Sequence, residues 1–321
     1  MSLFWLMGFF SRNKNRFLRL LAFLISLLFI FSLGPLLKVD PSHRKTYVSK
    51  LSSTPAHLIP GAEEISMAPE AAPTHIQNFS FAYIHGFSSS RQELSPLVED
   101  VATYYGAPAY FVRLAGHGID DKGKSLAEGN CFDWLNDADR VIEKAKAKGR
   151  DLILIGTSFG GLLASFAALE HQSEIKALIL ISPMFELPNP IARFVSGPLG
   201  VPLARMILGP IHEFTPKNEL NRKYWTTRYS TKVIPQLMNC ENFMRGEDLS
   251  KIKIPLLVLY TEKDDVVSIQ AIKDRFKDFG SSKKFLVDVP DANDHVLSGN
   301  IISPQTVSFV EKRIEEFLAG L

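Results

Sequence analysis

The stretch Leu152-Ile153-Leu154-Ile155-Gly156-Thr157-Ser158-Phe159-Gly160-Gly161 decides how this chain folds. Its four aliphatic residues do not alternate with polar ones, which is typical of a strand buried on both faces of a sheet. The segment that follows, Phe159–Glu170, is rich in Ala and Leu and is predicted to be a helix. A G-x-S-x-G pattern between a buried strand and a helix predicts a sharp turn that presents a nucleophilic serine, Ser158.

Segments typical of strands and of helices alternate from residue 78 onward. The predicted strands are Ser80–Ile84, Ala109–Arg113, Leu152–Ile155, Leu178–Ser182, Leu256–Tyr260 and Phe285–Val289. This alternation predicts the α/β class, with a mostly parallel sheet covered by helices on both faces. We assign residues 78–182 and 248–321 to this core. Residues 183–247 contain no clean strand, and an excursion of this length predicts an inserted helical cap.

A serine is unreactive at neutral pH unless a base takes its proton and an acid orients that base. The loop after the predicted strand Leu256–Tyr260 offers three acids. Asp264 is favoured because a Val-Val pair follows it after one residue, and Glu262 and Asp265 are the alternatives. The base is predicted to be His295, because it alone among the eight histidines follows both the acid and the last strand.

Five other histidines are not expected to act as the base: His43, His57, His75, His171 and His212. The first three precede the predicted fold, the fourth ends the helix that follows the nucleophile, and the fifth lies in the predicted cap.

Two backbone amides are predicted to hold the negative charge that develops on the substrate oxygen. One is the N–H of Phe159, at the N-terminus of a helix whose dipole favours negative charge. The other is the N–H of Phe87, in the loop after the first strand, where Gly86 permits close approach of the backbone. His85 in the same loop is expected to be a structural hydrogen-bonding residue.

The chain resembles the α/β-hydrolase family, in particular its branch of monoacylglycerol lipases, lysophospholipases and serine aminopeptidase-like enzymes. The segments that carry the resemblance are His85-Gly86-Phe87, Ala115-Gly116-His117-Gly118, Gly156-Thr157-Ser158-Phe159-Gly160, Asp264-Asp265-Val266-Val267 and His295-Val296-Leu297. The resemblance implies the α/β-hydrolase fold, a cap that sets substrate selectivity, and a structural role for His117. The family usually has an antiparallel pair of strands before the first strand of the parallel sheet. Residues 45–75 show no good hairpin signal for such a pair, so we expect a sheet of about six strands. Asp265 also departs, since the family often has proline after the acid.

Composition limits the class of protein. The 321 residues are 46% apolar and 22% charged, which is usual for a folded globular protein and excludes a largely disordered chain. A net charge of +2 gives no support for a nucleic-acid partner, because such proteins normally carry a strong basic excess. We find no metal-ligand spacing, phosphate-binding glycine loop or dinucleotide fingerprint, so we predict no metal and no cofactor.

Cys131 and Cys240 are the two cysteines of the chain. Two cysteines exclude a disulfide-dense scaffold and a four-cysteine zinc site. One disulfide is expected if the domain is exported. Two buried free thiols are the other interpretation, and the sequence alone favours it.

The first 38 residues differ from the rest of the chain. They contain no Asp or Glu, and basic residues at 12–19 precede the apolar run Leu20–Leu37. Eighteen helical residues span about 27 Å, near the lower limit for crossing a bilayer, and the basic cluster favours a cytoplasmic N-terminus. We therefore predict an uncleaved membrane anchor at 1–38, a linker at 39–77, and a hydrolase domain outside the cytoplasm. A cleaved signal, which Pro35 disfavours, and a helix docked on the protein itself are the alternatives.

Together these features predict a serine hydrolase that cleaves carboxylic esters through an acyl-enzyme on Ser158. Apolar residues are frequent in the predicted cap, which favours acyl-lipid or other apolar acyl esters as substrates. An aminopeptidase-like enzyme is the first alternative, and it needs an acidic site for the substrate amine, for which Glu186, Glu213 and Glu219 are candidates. A catalytically silent binding module is the second alternative, against which the complete set of catalytic residues argues.

Overall fold

A computed structural model describes residues 44, 46–51, 55–68, 78–146, 150–189, 192, 195–196 and 199–321. The predicted anchor at residues 1–38 lies outside the described residues. Within the described ranges, no helix is long and apolar enough to cross a membrane.

A mostly parallel sheet forms the centre of the fold. The strands in the described residues are β1 (Ile65–Met67), β2 (Phe79–Ile84), β3 (Ala109–Phe111), β4 (Asp151–Thr157), β5 (Ile175–Ile181), β6 (Ile211–Glu213), β7 (Arg228–Ser230), β8 (Leu256–Tyr260) and β9 (Lys284–Asp288). Seven of them form one sheet in the order β1-β3-β2-β4-β5-β8-β9, and β6 and β7 form a separate antiparallel ribbon. In the large sheet only β1 runs antiparallel to its neighbour. The predicted α/β class is confirmed.

Helices cover both faces of the sheet. The α-helices in the described residues are α1 (Leu97–Tyr104), α2 (Lys124–Ala127), α3 (Cys131–Lys146), α4 (Phe159–Glu170), α5 (Gly200–Leu208), α6 (Glu219–Tyr224), α7 (Ile234–Gly246), α8 (Ile269–Asp278) and α9 (Val307–Ala319). The apolar sides of α1 and α9 pack in one buried cluster, and those of α3, α4, α7 and α8 pack in a second. The sheet lies between the two clusters.

The central strand β4 shows why the sequence has no alternation at this point. Leu152 and Leu154 face the cluster with α3 and α4, whereas Ile153 and Ile155 face the cluster with α1 and α9. All four side chains are 0–1% exposed. A strand with two buried faces needs apolar residues at every position, so it appears in the sequence as a continuous aliphatic run.

The sheet has one strand more than the six expected from the sequence. The additional strand, β1, lies inside the segment predicted as a linker and pairs antiparallel with β3, placing Ile65 opposite Phe111. A lone three-residue strand has no hairpin partner next to it in sequence, so it leaves no hairpin signal.

Arg44 attaches the start of the described chain to the helical layer. Its side chain is 7% exposed and donates hydrogen bonds to Glu170 Oε2 at 2.7 Å and to Asn136 Oδ1 at 2.8 Å. It also forms an ion pair with Asp139. Because these partners lie on α3 and α4, the chain is fixed to the core six residues after the predicted anchor.

Cys131 and Cys240 form a disulfide. The bond joins the first residue of α3 to α7, and both residues are buried. The interpretation favoured from the sequence, two free thiols, is therefore wrong. The pairing depends on packing between helices 109 residues apart, which local sequence patterns do not reveal.

We expect replacement of both Cys131 and Cys240 by serine to lower the free energy of unfolding by about 2–5 kcal/mol, because a disulfide that closes a loop of this length restricts the unfolded chain strongly. Denaturant unfolding of the double variant and the wild type measures the difference. The wild type under reducing conditions is the matched control and should unfold at the same denaturant concentration as the variant. Equal stability of the oxidised wild type and the variant would contradict the prediction.

The insertion between β5 and β8 contains the helices α5, α6 and α7 together with the β6–β7 ribbon. The sequence predicted helices here but not the ribbon, whose strands are three residues long and largely exposed. The segment between α6 and β7 contacts the core beside the site, where Thr226 N–H donates to Ser88 O at 2.7 Å. Residues 183–247 thus reach the loop that follows β2.

Candidate active site

The turn between β4 and α4 places Ser158 in a strained conformation. Ser158 has φ 55° and ψ −119°, a region that residues other than glycine seldom adopt. Its backbone is held on both sides, because its N–H donates to Ile181 O and its carbonyl accepts from Met184 N–H, both at 2.9 Å. Gly160 is required here, since a Cβ at this position would lie 2.1 Å from Ile84 O. The G-x-S-x-G pattern predicted a sharp turn at this position.

The structure brings Ser158, His295 and Asp264 together from three separate loops at the carboxyl edge of the sheet. Ser158 Oγ lies 2.7 Å from His295 Nε2, and His295 Nδ1 lies 2.7 Å from Asp264 Oδ2. The Asp264 side chain is 1% exposed and that of His295 is 13% exposed. This is the arrangement in which an imidazole takes a proton from a serine while a carboxylate orients it.

Asp264 is held as a carboxylate. Its Oδ1 accepts from Val266 N–H at 2.9 Å and Val267 N–H at 3.1 Å. Burial raises the pKa of Asp264, but the hydrogen bond and charge of His295 and the two amides outweigh burial, so the pKa lies below its usual value. The other acids that the sequence offered are exposed, and Glu262 is bonded to Tyr260 and Lys273. Asp265 makes no contact with His295 among the hydrogen bonds of the described residues.

Other predicted histidines lie away from the serine or outside the described residues. His171 is the C-cap of α4 and contacts Asp139 and Glu174. His212 lies on β6 against the ring of Tyr229, and His57 is exposed. His43 and His75 lie outside the described part of the chain.

The two predicted oxyanion donors lie next to the nucleophile. Phe159 begins α4, and Phe87 follows Gly86 in the loop after β2. Neither N–H takes part in the backbone hydrogen bonds of turns, loops and caps in the described residues. The Phe87 and Phe159 rings contact each other, with centroids 6.0 Å apart. The structure thus brings the two predicted donors together beside the turn that carries Ser158.

His85 has the structural role expected of it. It is fully buried, its Nδ1 lies 2.9 Å from Gly86 O, and its Nε2 accepts from Leu114 N–H at 3.1 Å. These partners assign the proton to Nδ1, which donates to the carbonyl. Burial lowers the pKa of His85 to about 4, and it lowers that of His117 well below the usual value. Both rings are neutral at pH 7.

We expect His85 to make the fold sensitive to acid. The pKa of His85 in the folded chain, about 4, lies below the unfolded value of about 6.5, so the unfolded chain binds the proton first as the pH falls. The contribution of His85 to stability is complete above pH 6.5 and is lost progressively towards pH 4, by about 3 kcal/mol. Denaturant unfolding across this pH range measures the effect. His85→Gln should lose correspondingly less stability in acid, and an unchanged pH profile in that variant would contradict the prediction.

Asp139, Glu170 and His171 lie close enough to hold a metal ion. Arg44 already pairs with the carboxylates of Asp139 and Glu170. The guanidinium thus supplies the positive charge that these groups need, and the cluster joins α3 and α4 to the chain before β1.

One buried acid beside the site was not predicted. Glu93, in the turn before α1, is 1% exposed and accepts from Gly86 N–H at 2.6 Å. A glutamate near the start of a helix is usually exposed to solvent. The local sequence therefore does not reveal that Glu93 is buried.

The fold and the site together define an α/β-hydrolase. The family model described as serine aminopeptidase, S33, matches residues 80–297, which is more than half of the chain. The chain belongs to this family.

Two curated relatives match part of the chain. A proline iminopeptidase from Chitinophaga pinensis is 28% identical over 120 residues, which are 37% of this chain and 40% of the relative. A pimeloyl-acyl-carrier-protein methyl ester esterase from Shewanella oneidensis is 31% identical over 119 residues, which are 35% of this chain and 40% of the relative. The match thus spans about two fifths of the length of each relative.

A solved structure from work on LipS and LipT, two metagenome-derived lipolytic enzymes, has a similar fold. It superposes with a TM-score of 0.67 at 18% identity, covering 83% of this chain and 100% of that one. At this identity the similarity establishes the fold.

Proposed function

We propose that this chain is a serine hydrolase that cleaves carboxylic esters through an acyl-enzyme on Ser158. The observation that carries the proposal is the continuous hydrogen-bonded path from Ser158 Oγ through His295 to Asp264, with 2.7 Å at each step. The strained turn supports it, because non-glycine residues held in sparsely populated backbone conformations cluster at active sites.

The geometry leads to the following sequence of proton transfers. Ser158 Oγ attacks the ester carbonyl and gives its proton to His295 Nε2, while the Asp264 carboxylate stabilises the imidazolium. The Phe87 and Phe159 amides hold the oxyanion of the tetrahedral intermediate. Collapse of this intermediate breaks the ester bond, and His295 returns the proton to the leaving alkoxide. Water, activated by His295 in the same way, then releases the acid and restores Ser158.

Apolar acyl esters, including acyl lipids, are the proposed substrates. The cap helix α5 exposes Met206, Ile207 and Leu208, which are 63%, 42% and 48% exposed. Apolar side chains exposed together on one helix favour contact with an apolar substrate or a lipid surface. The names of the methyl ester esterase and the lipolytic enzymes are in keeping with ester cleavage.

The aminopeptidase alternative is less well supported by the cap. Each candidate receptor for a substrate amine is paired with an arginine: Glu186 with Arg245, Glu213 with Arg228 and Glu219 with Arg222. A carboxylate already neutralised by a guanidinium binds an ammonium group weakly. Because one relative is named a proline iminopeptidase, peptidase activity is also tested, with aminoacyl anilides as substrates.

A substrate panel tests the proposed function. We expect the purified protein to react with a fluorophosphonate probe at Ser158 and to hydrolyse p-nitrophenyl esters of medium and long acyl chains faster than aminoacyl anilides. Faster cleavage of the anilides would favour the peptidase. Lack of fluorophosphonate labelling in a folded sample would favour a silent binding module.

We further propose that residues 1–38 anchor the protein in a membrane, with the hydrolase domain outside the cytoplasm. The apolar run Leu20–Leu37 supports an anchor. The Cys131–Cys240 disulfide supports the orientation, because disulfides persist mainly in oxidising compartments. Protease added to intact cells or spheroplasts should digest the domain, and deletion of residues 1–38 should give a soluble, active enzyme. Protection from protease until lysis would reverse the orientation.

A further inference from the structure

Glu93 is a buried carboxylate that takes no part in the proton transfers described above. It ends the short turn Arg91–Glu93 between β2 and α1. Its Oε1 accepts hydrogen bonds from Gly86 N–H and from the Tyr83 hydroxyl, each at 2.6 Å. Arg91 in the same turn pairs with Glu63 and Glu99. Glu93 is therefore held by hydrogen bonds to β2, through Tyr83, and to the loop that follows β2, through Gly86. We name this loop, residues 85–88, the oxyanion loop.

The partners of Glu93 fit an ionised carboxylate, which only accepts hydrogen bonds. Gly86 N–H and the Tyr83 hydroxyl both donate to its Oε1. The 2.6 Å separation between the Tyr83 hydroxyl and Glu93 Oε1 is typical of a hydrogen bond to a charged acceptor. Burial raises the pKa of Glu93 above its usual value, and the hydrogen bonds from Tyr83 and Gly86 offset only part of that rise.

The amide that Glu93 holds is adjacent to the Phe87 donor. Gly86 N–H belongs to the His85–Gly86 peptide group, and Phe87 N–H belongs to the next group along the chain. The carbonyl of that next group, Gly86 O, is held by His85 Nδ1 at 2.9 Å. Since each peptide group is planar, fixing Gly86 N–H and Gly86 O fixes the direction in which Phe87 N–H points.

Glu93 also lies close to the nucleophile. A Cβ built on Gly86 would be 3.0 Å from Glu93 Oε2 and 3.3 Å from Ser158 Cβ, so Gly86 lies against both the carboxylate and the serine. The carbonyl of Glu93 lies against the loop that follows His295, since a Cβ on Gly299 would be 2.3 Å from it. The turn that carries Glu93 thus contacts both the oxyanion loop and the loop that follows His295.

We propose that Glu93 is a positioning residue of the oxyanion hole, whose carboxylate holds Gly86 N–H and so directs Phe87 N–H towards the oxyanion. The proposal rests on the proposed ester hydrolysis. It predicts a specific kinetic effect, because an oxyanion donor acts on the transition state and not on the bound substrate. A misdirected donor costs less than a deleted one, for which losses of about 10²–10³ in kcat are typical.

Glu93→Gln tests the proposal, because it keeps the shape of the side chain and removes the charge. We expect kcat for a p-nitrophenyl ester to fall about 10- to 100-fold with KM changed less than about threefold. The affinity for an alkyl trifluoromethyl ketone, which forms a tetrahedral adduct with the serine, should fall by the same factor as kcat. Glu99→Gln is the matched control: Glu99 is a second largely buried glutamate nearby, on α1, and the variant should keep the wild-type kcat.

Glu93→Asp provides a second variant if the glutamine variant does not fold. It keeps the charge, but its carboxylate ends one methylene short of Gly86 N–H, so we expect the same paired loss of kcat and ketone affinity. Retention of kcat within about threefold in a folded variant would overturn the proposal. A fall in kcat without a matching fall in ketone affinity would also overturn it and leave Glu93 as a residue that supports the fold alone. The wild type in the same assay separates the two proposals, because an inactive wild type would overturn ester hydrolysis itself.

Discussion

Ser158→Ala is expected to lower kcat by about 10⁴- to 10⁶-fold while the protein stays folded. The reason is that Ser158 Oγ supplies the nucleophile and His295 has no other hydroxyl to activate at 2.7 Å in the described structure. Ester hydrolysis by the purified variant, with the fluorophosphonate probe as a second readout, measures the effect. The unfolding midpoint should change little, because the removed atom is a single hydroxyl oxygen.

Ser165→Ala is the matched control for this variant. Ser165 also lies buried on α4, but its Oγ donates to the carbonyl of Gly161 at 2.8 Å and does not reach the site. We expect this variant to keep nearly full activity and to label normally. If Ser158→Ala retained a tenth of the wild-type activity, the mechanism proposed above would be wrong.

Asp264→Asn is expected to lower kcat by about 10⁴-fold. An asparagine can present its NH₂ group to His295 Nδ1, which favours the tautomer with the proton on Nε2, and that tautomer cannot accept the proton of Ser158. The amide also carries no charge to stabilise the imidazolium. Steady-state kinetics on a p-nitrophenyl ester measures the loss.

Asp265→Asn provides the control for the acid. Asp265 is the next residue in the same loop and is exposed, so the neutral amide should change kcat by less than about threefold. The reverse outcome, a severe loss in Asp265→Asn and a mild one in Asp264→Asn, would move the orienting acid by one position. The pair of variants thus tests the geometry that the structure assigns.

The parts of the fold that were predictable are those with a strong local signal. The aliphatic run before Ser158, the helix after it and the strand Leu256–Tyr260 appear in the structure because strands with two buried faces and amphipathic helices leave a pattern along the chain. The β6–β7 ribbon and β1 leave no such pattern. They are three residues long and exist because neighbouring strands supply their hydrogen bonds.

The candidate site shows the same division. Ser158, Asp264 and His295 were predictable because each follows a strand in a fixed order and has a distinctive context. Glu93 and the Cys131–Cys240 disulfide were not, because each depends on which distant segment packs against it. The anchor at residues 1–38 stays a prediction.

The disulfide between α3 and α7 has a consequence for proteolytic damage. Cys131 precedes Ser158 in the chain, and Cys240 precedes Asp264 and His295. A cut anywhere in residues 183–239 therefore leaves the fragment that carries the serine covalently joined to the fragment that carries its two partners. A nicked molecule would migrate as one species on a non-reducing gel and as two after reduction, and it would keep Ser158, Asp264 and His295 on one covalently joined molecule.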